Sequence, residues 1–163
     1  MADRNRERLY NKDRDREIYA DIKAIPPLIV RADGRNFRRV LSDEFEKPYY
    51  ERFAKGMAKA VAIFFEKSGF DPKLAYILSD EINCFFPQIP FKGRIEKLDS
   101  VIASFLASAL TIVLDFKEAV AFDARIILFA AERMFWNISC SGRQKHGDTI
   151  LMLMDITDCK SLD

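Results

Sequence analysis

The chain has 163 residues, of which 49% are hydrophobic and 31% are charged. This length suits one well-packed domain, and the composition is that of an ordinary globular protein. The net charge of +1 restricts any nucleic-acid-binding surface to a local basic patch. We identify no apolar stretch of the roughly 20 residues that a membrane helix needs, and Met1–Arg6 lacks the apolar segment of a signal peptide. We therefore expect a cytoplasmic protein that has no membrane association.

The cysteine and histidine content excludes several kinds of site. Cys84, Cys140 and Cys159 have no short paired spacing, which argues against a disulfide framework and against a zinc knuckle. His146 is the only histidine in the sequence, which excludes zinc sites with several histidine ligands and argues against a histidine-based triad. Any chemistry must come from carboxylates, lysines and arginines.

The N-terminal residues 3–23 mix acidic and basic side chains, with apolar residues at roughly helical spacing. Because both signs are interleaved, we interpret this segment as a solvated helix in preference to an RNA-binding arm. Ile25-Pro-Pro27 interrupts the pattern, since a residue before proline is disfavoured in a helix. The sequence therefore predicts a helical N-terminal extension over residues 1–25 and one domain over residues 26–163.

The predicted domain alternates short apolar runs with two amphipathic segments. The predicted elements are a strand Leu28–Ala32 that ends in a turn at Asp33-Gly34, a helix that begins at Lys47-Pro48 and ends at Ser68-Gly69, a hairpin of strands Leu74–Leu78 and Ile82–Phe86 around Ser79–Glu81, a helix over Leu98–Val113, and a strand Phe122–Phe129. This order predicts an α+β fold, a ferredoxin-like βαββαβ palm domain, followed by a short C-terminal addition.

The predicted topology brings acidic residues together. The first and third strands of such a sheet are antiparallel neighbours, so Asp33 should approach Asp80 and Glu81. Carboxylates without histidine favour magnesium, and a pair of ions can hold both the attacking and the leaving oxygen of a phosphoryl transfer. The palm domains of polymerases and nucleotide cyclases use this arrangement. Metal-dependent phosphate chemistry is therefore our first hypothesis.

Five short motifs carry a more specific resemblance. They are Arg31-Ala-Asp-Gly-Arg-Asn-Phe37, Phe45-Glu-Lys-Pro48, Ser79-Asp-Glu81, Arg94-Ile-Glu-Lys97 and Phe122-Asp-Ala-Arg125. In this order and spacing the chain resembles the tRNA-His guanylyltransferase family, including the guanylyltransferase-like branch that extends RNA in the 3′-to-5′ direction. The resemblance extends from about Leu28 to Phe129.

The resemblance implies a site for two Mg²⁺ ions. Asp33 and Asp80 would ligate the ions together with the carbonyl of Gly34. Glu81 would be a further catalytic carboxylate, and Ser79 would lie beside the metals and the nucleotide.

The resemblance also implies a nucleotide site and substrates. The amides of Arg35, Asn36 and Phe37 would lie against the triphosphate of GTP or ATP. Positive charge for the phosphates would come from Lys47, Arg94 and Lys97, since these residue types suit a strongly anionic ligand. The implied partner is tRNA, and we expect a homo-oligomer.

The sequence departs from the family pattern in several places. Tyr49-Tyr50 stands where the family has Asn-Asp after its Lys-Pro. The family's continuous Trp-Arg-Gln segment is not cleanly present, because Trp136 and Arg143-Gln144 are separated in this sequence. The His-Ile-Asn-Asn stretch of eukaryotic members is absent, and Asp163 falls short of the usual family C-terminus. We therefore expect 5′-end nucleotide addition of reduced specificity. The alternative is a non-catalytic RNA- or nucleotide-binding relative. A nucleotide cyclase rests on fold analogy alone.

Two other polar residues have simpler interpretations. Asp123 lies near the start of a predicted edge strand, which favours a structural role over metal ligation. We interpret His146 as a surface residue and Trp136 as part of the core or of an interface.

Overall fold

The computed structural model of the chain describes residues 17–44, 50–128 and 151–155, with side chains described for residues 17–41 and 51–128. The secondary-structure elements are β1 (Leu28–Arg35), α1 (Phe37–Glu44), α2 (Tyr50–Lys67), β2 (Leu74–Leu78), β3 (Glu81–Phe86), a 3₁₀ turn (Pro90–Gly93), α3 (Ile95–Leu114), β4 (Ala121–Leu128) and β5 (Leu151–Asp155).

The strands form one sheet in the order β4-β1-β3-β2-β5, and every neighbouring pair is antiparallel. The first four strands and the helices α2 and α3 follow the predicted order, and β4 lies at an edge as expected. The fifth strand, Leu151–Asp155, was not predicted; it pairs with β2 at the other edge. The fold is therefore α+β, as the sequence indicates.

The two faces of the sheet differ in composition because side chains alternate along a strand. On one face, Leu28, Val30 and Ala32 are fully buried and share a single core with α2 and α3. Residues Arg31 and Asp33 of β1 belong to the opposite face. The cross-strand partners of Arg31 and Asp33 on β3 and β4 lie on the same face.

The prediction of a turn at Asp33-Gly34 is wrong, because β1 continues through both residues to Arg35. The amide of Gly34 donates a hydrogen bond to the carbonyl of Asp80 over 3.1 Å, and Asp33 is paired with strands on both sides. Pairing with two neighbouring strands outweighs the local preference of Asp-Gly for a turn.

The chain turns instead at Asn36, which has φ 60, a conformation that asparagine tolerates better than most residues. Its carbonyl accepts hydrogen bonds from the amides of Arg39 and Val40 at the start of α1. This eight-residue helix was not predicted from the sequence. Its inward residues Phe37, Val40 and Leu41 are buried, at helical spacing.

The helix predicted over residues 3–23 is absent from residues 17–23, which form turns and a single bridge between Lys23 and Arg94. Residues 1–16 lie outside the described part of the chain. Ala24 is buried, and its amide donates to the carbonyl of Gly93 over 2.8 Å. The amide of Ile95 donates to the carbonyl of Ile22 over 3.2 Å. This segment therefore packs against the beginning of α3.

Helix α3 has the length and the apolar composition of a membrane span, contrary to the expectation from the sequence. Its inward residues, Leu98, Ile102, Leu106, Ala109, Leu110 and Leu114, are buried. They belong to the same core as the strands. The central helix of a globular domain passes the same test of length and composition, so this feature is weak support for a membrane helix.

One carboxyl on α3 gives a prediction about stability. Burial raises the pKa of Asp99 to about 6 from its ordinary 3.8, and its Oδ1 atom is buried without a hydrogen-bond partner among the described residues. Because the folded pKa lies above the unfolded value, the folded state loses stability as pH rises from about 4 to about 6. Asp99→Asn should therefore raise the free energy of unfolding near neutral pH by on the order of 1 kcal/mol.

Urea unfolding at about pH 4 and about pH 7.5 measures this effect. The variant should gain stability at the higher pH and little at the lower one. Glu66→Gln, at an exposed position on α2, is the matched control and should show no such difference between the two pH values. An equal gain for Asp99→Asn at both pH values would refute the assignment.

Candidate active site at the carboxylate row

Three acidic residues lie side by side across three strands. Glu81 on β3 and Asp123 on β4 are the register partners of Asp33 on β1. We call Glu81, Asp33 and Asp123 the carboxylate row. Asp80 immediately precedes the row, and its carbonyl is hydrogen-bonded to the amide of Gly34. The expected approach of Asp33 to Asp80 and Glu81 is therefore confirmed by the strand register.

The electrostatics of the row centre on Asp33. Its pKa is raised, first by burial and then by the negative charges of Asp80, Asp123 and Glu81, while Arg125 lowers it in part. The anionic form of Asp33 is thus incompletely compensated by the surrounding protein. A bound cation would supply the missing positive charge, which makes this end of the sheet a fitting place for one.

The donor set suits an ion shared with a phosphate ligand. No group of three or more acidic, histidine or cysteine side chains is arranged as a metal cage within the described residues. Mg²⁺ at phosphate sites is usually held by one or two carboxylates, with the remaining positions taken by phosphate oxygens and water. Asp33, Asp80 and the carbonyl of Gly34 fit that pattern.

Glu81 is held by a network that sequence reasoning missed. The side-chain amide of Asn83 donates to Oε1 of Glu81 over 2.8 Å, and its Oδ1 accepts from Nε of Arg31 over 2.9 Å. The same Nε lies 3.4 Å from Oε2 of Glu81. The sequence did contain a signal for this network. Side chains two residues apart in a strand point to the same face, so Glu81 and Asn83 on β3 share a face, as do Arg31 and Asp33 on β1.

Asp123 at the other end of the row is paired within its own strand. Its Oδ1 accepts a hydrogen bond from Nη2 of Arg125 over 2.7 Å, and that nitrogen lies 3.9 Å from Oδ2 of Asp33. This pairing supports the structural role expected for Asp123, although its charge also raises the pKa of Asp33.

Gly34 lies where a larger residue does not fit. A Cβ atom added there would overlap the ring of Phe37 and would lie 3.1 Å from Cβ of Asp80. The ring of Phe37 is buried and packs against those of Phe53, Phe116 and Phe122, with centroids 5.3 to 6.3 Å apart. The contribution of Phe37 to a nucleotide site is therefore limited to its main chain.

The start of α1 follows directly after the carboxylate row. Arg35 ends β1 and is exposed, and Asn36 precedes the first residue of the helix. The first amides of a helix point outward and carry partial positive charge, which suits phosphate oxygens. The expected contact between these main-chain amides and a triphosphate is compatible with this placement.

Ser79 occupies the two-residue turn between β2 and β3, and its φ of 57 lies in the left-handed region. Such a conformation costs a non-glycine residue about 1 kcal/mol and often marks a functional site. Here the turn places the carbonyl of Asp80 against the amide of Gly34.

Arg94 and Lys97 do not converge with the carboxylates within a single copy of the chain. β3 begins beside Asp33 and ends beside Leu28. Arg94 forms a bridge with Lys23, which precedes Leu28, so α3 begins at the far end of the sheet. Leu28 and Asp33 are five positions apart along β1, a distance of about 17 Å. Within a single copy, Arg94 and Lys97 therefore lie away from the carboxylate row, and their contact with a triphosphate stays a prediction. Lys47, the third basic residue of that group, lies outside the described residues.

Comparisons with known proteins identify a family and a fold. The family model described as tRNAHis guanylyltransferase matches residues 10–130. A bacterial tRNA(His) guanylyltransferase-like protein matches with 24% identity over 76% of this chain, with a TM-score of 0.64 in its complex with GTP and 0.65 in its complex with ATP. The tRNA(His) guanylyltransferase of Saccharomyces cerevisiae matches with 24% identity over 77% of this chain and a TM-score of 0.66.

The structural matches establish the fold, since their sequence identity is low. This chain spans 59% of the length of the bacterial protein and 61% of the yeast protein. No curated protein matched the sequence. Because the family model covers most of the chain, including every motif quoted above, the chain belongs to the tRNA-His guanylyltransferase family.

Proposed function

We propose that this protein is a magnesium-dependent nucleotidyltransferase that adds nucleotides to the 5′ end of tRNA in the 3′-to-5′ direction. The observation that carries the proposal is the strand register that brings Asp33, Asp80 and Glu81 to one end of the sheet. The match to the family model over residues 10–130 supports the same activity.

In this proposal Asp33, Asp80 and the carbonyl of Gly34 hold two Mg²⁺ ions. The ions would neutralise charge on the reacting phosphates and orient them. The main-chain amides of residues 35–37 bind the triphosphate at the start of α1, and Ser79 fixes the turn that carries Asp80. Glu81 contributes a further negative charge beside Asp33.

The reaction has two stages. In the first, the 5′ phosphate of the RNA attacks the α-phosphate of a nucleoside triphosphate, which forms a phosphoanhydride at the 5′ end and releases pyrophosphate. In the second, the 3′ hydroxyl of the incoming nucleotide attacks the 5′ phosphate of the RNA and displaces the activating nucleoside monophosphate, so that the RNA grows by one nucleotide. Both stages need the reacting groups to be positioned beside the carboxylate row.

GTP and ATP are the proposed nucleotides, because the bacterial relative was solved with each of them. A second function, non-catalytic binding of RNA or nucleotides, is favoured by one observation: the chain spans about three fifths of the length of its structural relatives. About two fifths of the length of each of those proteins therefore lies outside the matched region.

The test is to incubate the protein with intact and 5′-truncated tRNAs, magnesium and each labelled nucleoside triphosphate in turn. The proposal expects label at the 5′ end that depends on magnesium and disappears with a chelator. Broad addition to several truncated tRNAs is expected over strict guanosine addition to tRNA-His. Binding of nucleotide or RNA without transfer would favour the binding module.

The placement of Lys97 leads to a separate prediction. Lys97 is exposed at the far end of the sheet, where a single nucleotide at the carboxylate row would not reach it but a tRNA would. Lys97→Ala should therefore raise KM for tRNA several-fold and leave KM for the triphosphate within about twofold. Lys55→Ala, exposed on α2, is the control. A selective loss of triphosphate binding would show that Lys97 reaches the nucleotide, from another copy of the chain.

We also propose that the protein is a homo-oligomer. Four large apolar side chains with high exposure lie within residues 18–25: Ile18, Tyr19, Ile22 and Ile25. Such concentration of exposed apolar surface is typical of contact regions. Sedimentation of the parent protein and of an Ile18→Ser variant would test whether this surface holds copies together.

A further inference from the structure

Asn83 is the one buried polar residue among those whose side chains the structure describes, with 6% of its surface exposed. It lies on β3, two residues after Glu81 and opposite Arg31 on β1. Burying an amide side chain is unfavourable unless its donor and its acceptor both find partners. Here both do, and both partners belong to the candidate active site.

The contacts form a closed triangle. Asn83 donates to Oε1 of Glu81 and accepts from Nε of Arg31, while that Nε also approaches Oε2 of Glu81. Both carboxylate oxygens of Glu81 are therefore restrained, and its side chain is only 23% exposed. The triangle fixes the rotamer of Glu81 at the position directly opposite Asp33.

We propose that Asn83 is a positioning residue, which together with Arg31 holds the Glu81 carboxylate beside Asp33 and so sets the affinity of this end of the sheet for divalent cations. The inference rests on the proposed function only for the identity of the cation. Glu81 is the register partner of Asp33 on the neighbouring strand, so its negative charge adds to that of Asp33 at this end of the sheet. A carboxylate free to rotate would place that charge less effectively.

Asn83 is a cleaner probe of this role than Arg31. Removing Arg31 would release Glu81 and would also delete a positive charge near the cation site, and these two changes have opposite effects on cation affinity. Replacing Asn83 with leucine keeps a neutral side chain of similar size and removes only the hydrogen bonds. Any change in cation affinity then reports the orientation of Glu81.

The first measurement is Mn²⁺ binding to the full chain without nucleotide, followed by calorimetry or by electron paramagnetic resonance. Asn83→Leu should weaken Mn²⁺ binding about tenfold, the size of effect that residues supporting a metal ligand commonly have. Phe85→Leu is the control: it lies two residues further along β3 on the same face, outside the triangle. It should leave Mn²⁺ affinity unchanged even if it lowers the melting temperature.

A double-mutant cycle separates positioning from a general structural role. In a Glu81→Gln background, Asn83→Leu should have almost no further effect on Mn²⁺ affinity, because the charge that Asn83 positions is already gone. In turnover assays, Asn83→Leu should raise the magnesium concentration needed for half-maximal rate, and saturating magnesium should restore most of kcat. If leucine at position 83 prevents folding, Asn83→Ala takes its place in the same cycle.

Three outcomes would overturn the inference: unchanged Mn²⁺ affinity in Asn83→Leu, an equal loss in Phe85→Leu, or additive effects in the cycle. The proposed function fails differently. If the parent binds Mn²⁺ and the cycle behaves as expected but no nucleotide is transferred, the positioning role stands and the enzymatic activity does not. If the parent binds no Mn²⁺, the cation site and this inference both fail.

Discussion

Asp33→Asn should lower magnesium-dependent nucleotide addition by about 10³-fold or more, while the protein stays folded. Asparagine keeps the shape of the side chain and removes the negative charge that a cation at this position requires. Asp33 is the centre of the carboxylate row, with acidic residues on both sides. No other described side chain occupies an equivalent position, and Asp80→Asn should show a loss of similar size.

The stability of this variant provides an internal check. The pKa of Asp33 is raised by burial and by its acidic neighbours, so its charged form disfavours the folded state at pH values above the unfolded pKa. Asp33→Asn should therefore be at least as stable as the parent at neutral pH. A thermal melt measures this, and a strongly destabilised variant would mean that the loss of activity reflects unfolding.

Asp123→Asn is the matched control for the carboxylate row. It removes one acidic charge from the same row, but from a residue that Arg125 already pairs. We expect its activity to stay within about tenfold of the parent. Near-normal activity of Asp33→Asn, or an equal loss in Asp123→Asn, would show that the metal ligands have been assigned wrongly.

Much of the fold follows from the sequence because its hydrophobic periods are clear. β2 has the bounds predicted for it, and β3 and β4 differ by single residues at their ends. The approach of Asp33 to Asp80 and Glu81 required only the order of the elements and the antiparallel pairing of the first and third strands. Local pattern and topology were sufficient for this part of the site.

Other features depend on tertiary contacts that a local pattern does not contain. Asp33-Gly34 has the composition of a turn, but hydrogen bonding to strands on both sides keeps it extended. Helix α1 has only eight residues, so its three buried side chains do not make a helical period that can be recognised in the sequence. β5 pairs with β2 across a large separation in sequence. The distance of Arg94 and Lys97 from the site could have been deduced, because the strand before α3 runs away from Asp33.

The buried Asn83 illustrates a different limit. An asparagine within an apolar strand is normally read as an unfavourable residue for that strand. The role of Asn83 becomes clear only from its hydrogen bonds to Glu81 on the same strand and to Arg31 on the neighbouring strand. Residues that act by positioning others are therefore missed when sequence reasoning searches for acids, bases and metal ligands.

Gly34→Ala should reduce activity about 100-fold and lower the free energy of unfolding by about 1 to 3 kcal/mol. The added methyl group would overlap the ring of Phe37, which is itself held among the rings of Phe53, Phe116 and Phe122. Because that ring cannot move freely, the strain should displace the main chain where β1 meets α1. That segment carries the proposed cation ligand and the amides expected to bind the triphosphate.

Gly56→Ala separates these two effects, since a Cβ at Gly56 would also crowd a buried side chain, that of Leu114. This contact lies between α2 and α3, in the core and away from the carboxylate row. Gly56→Ala should therefore lose stability by a similar amount and keep kcat and KM close to those of the parent, measured well below its melting temperature. If Gly34→Ala showed the same pattern, with stability lost and kinetics retained, the main chain at Gly34 would have no direct part in catalysis. Loss of activity in Gly34→Ala alone would instead mean that glycine is required there by the geometry of the site and not only by the packing of Phe37.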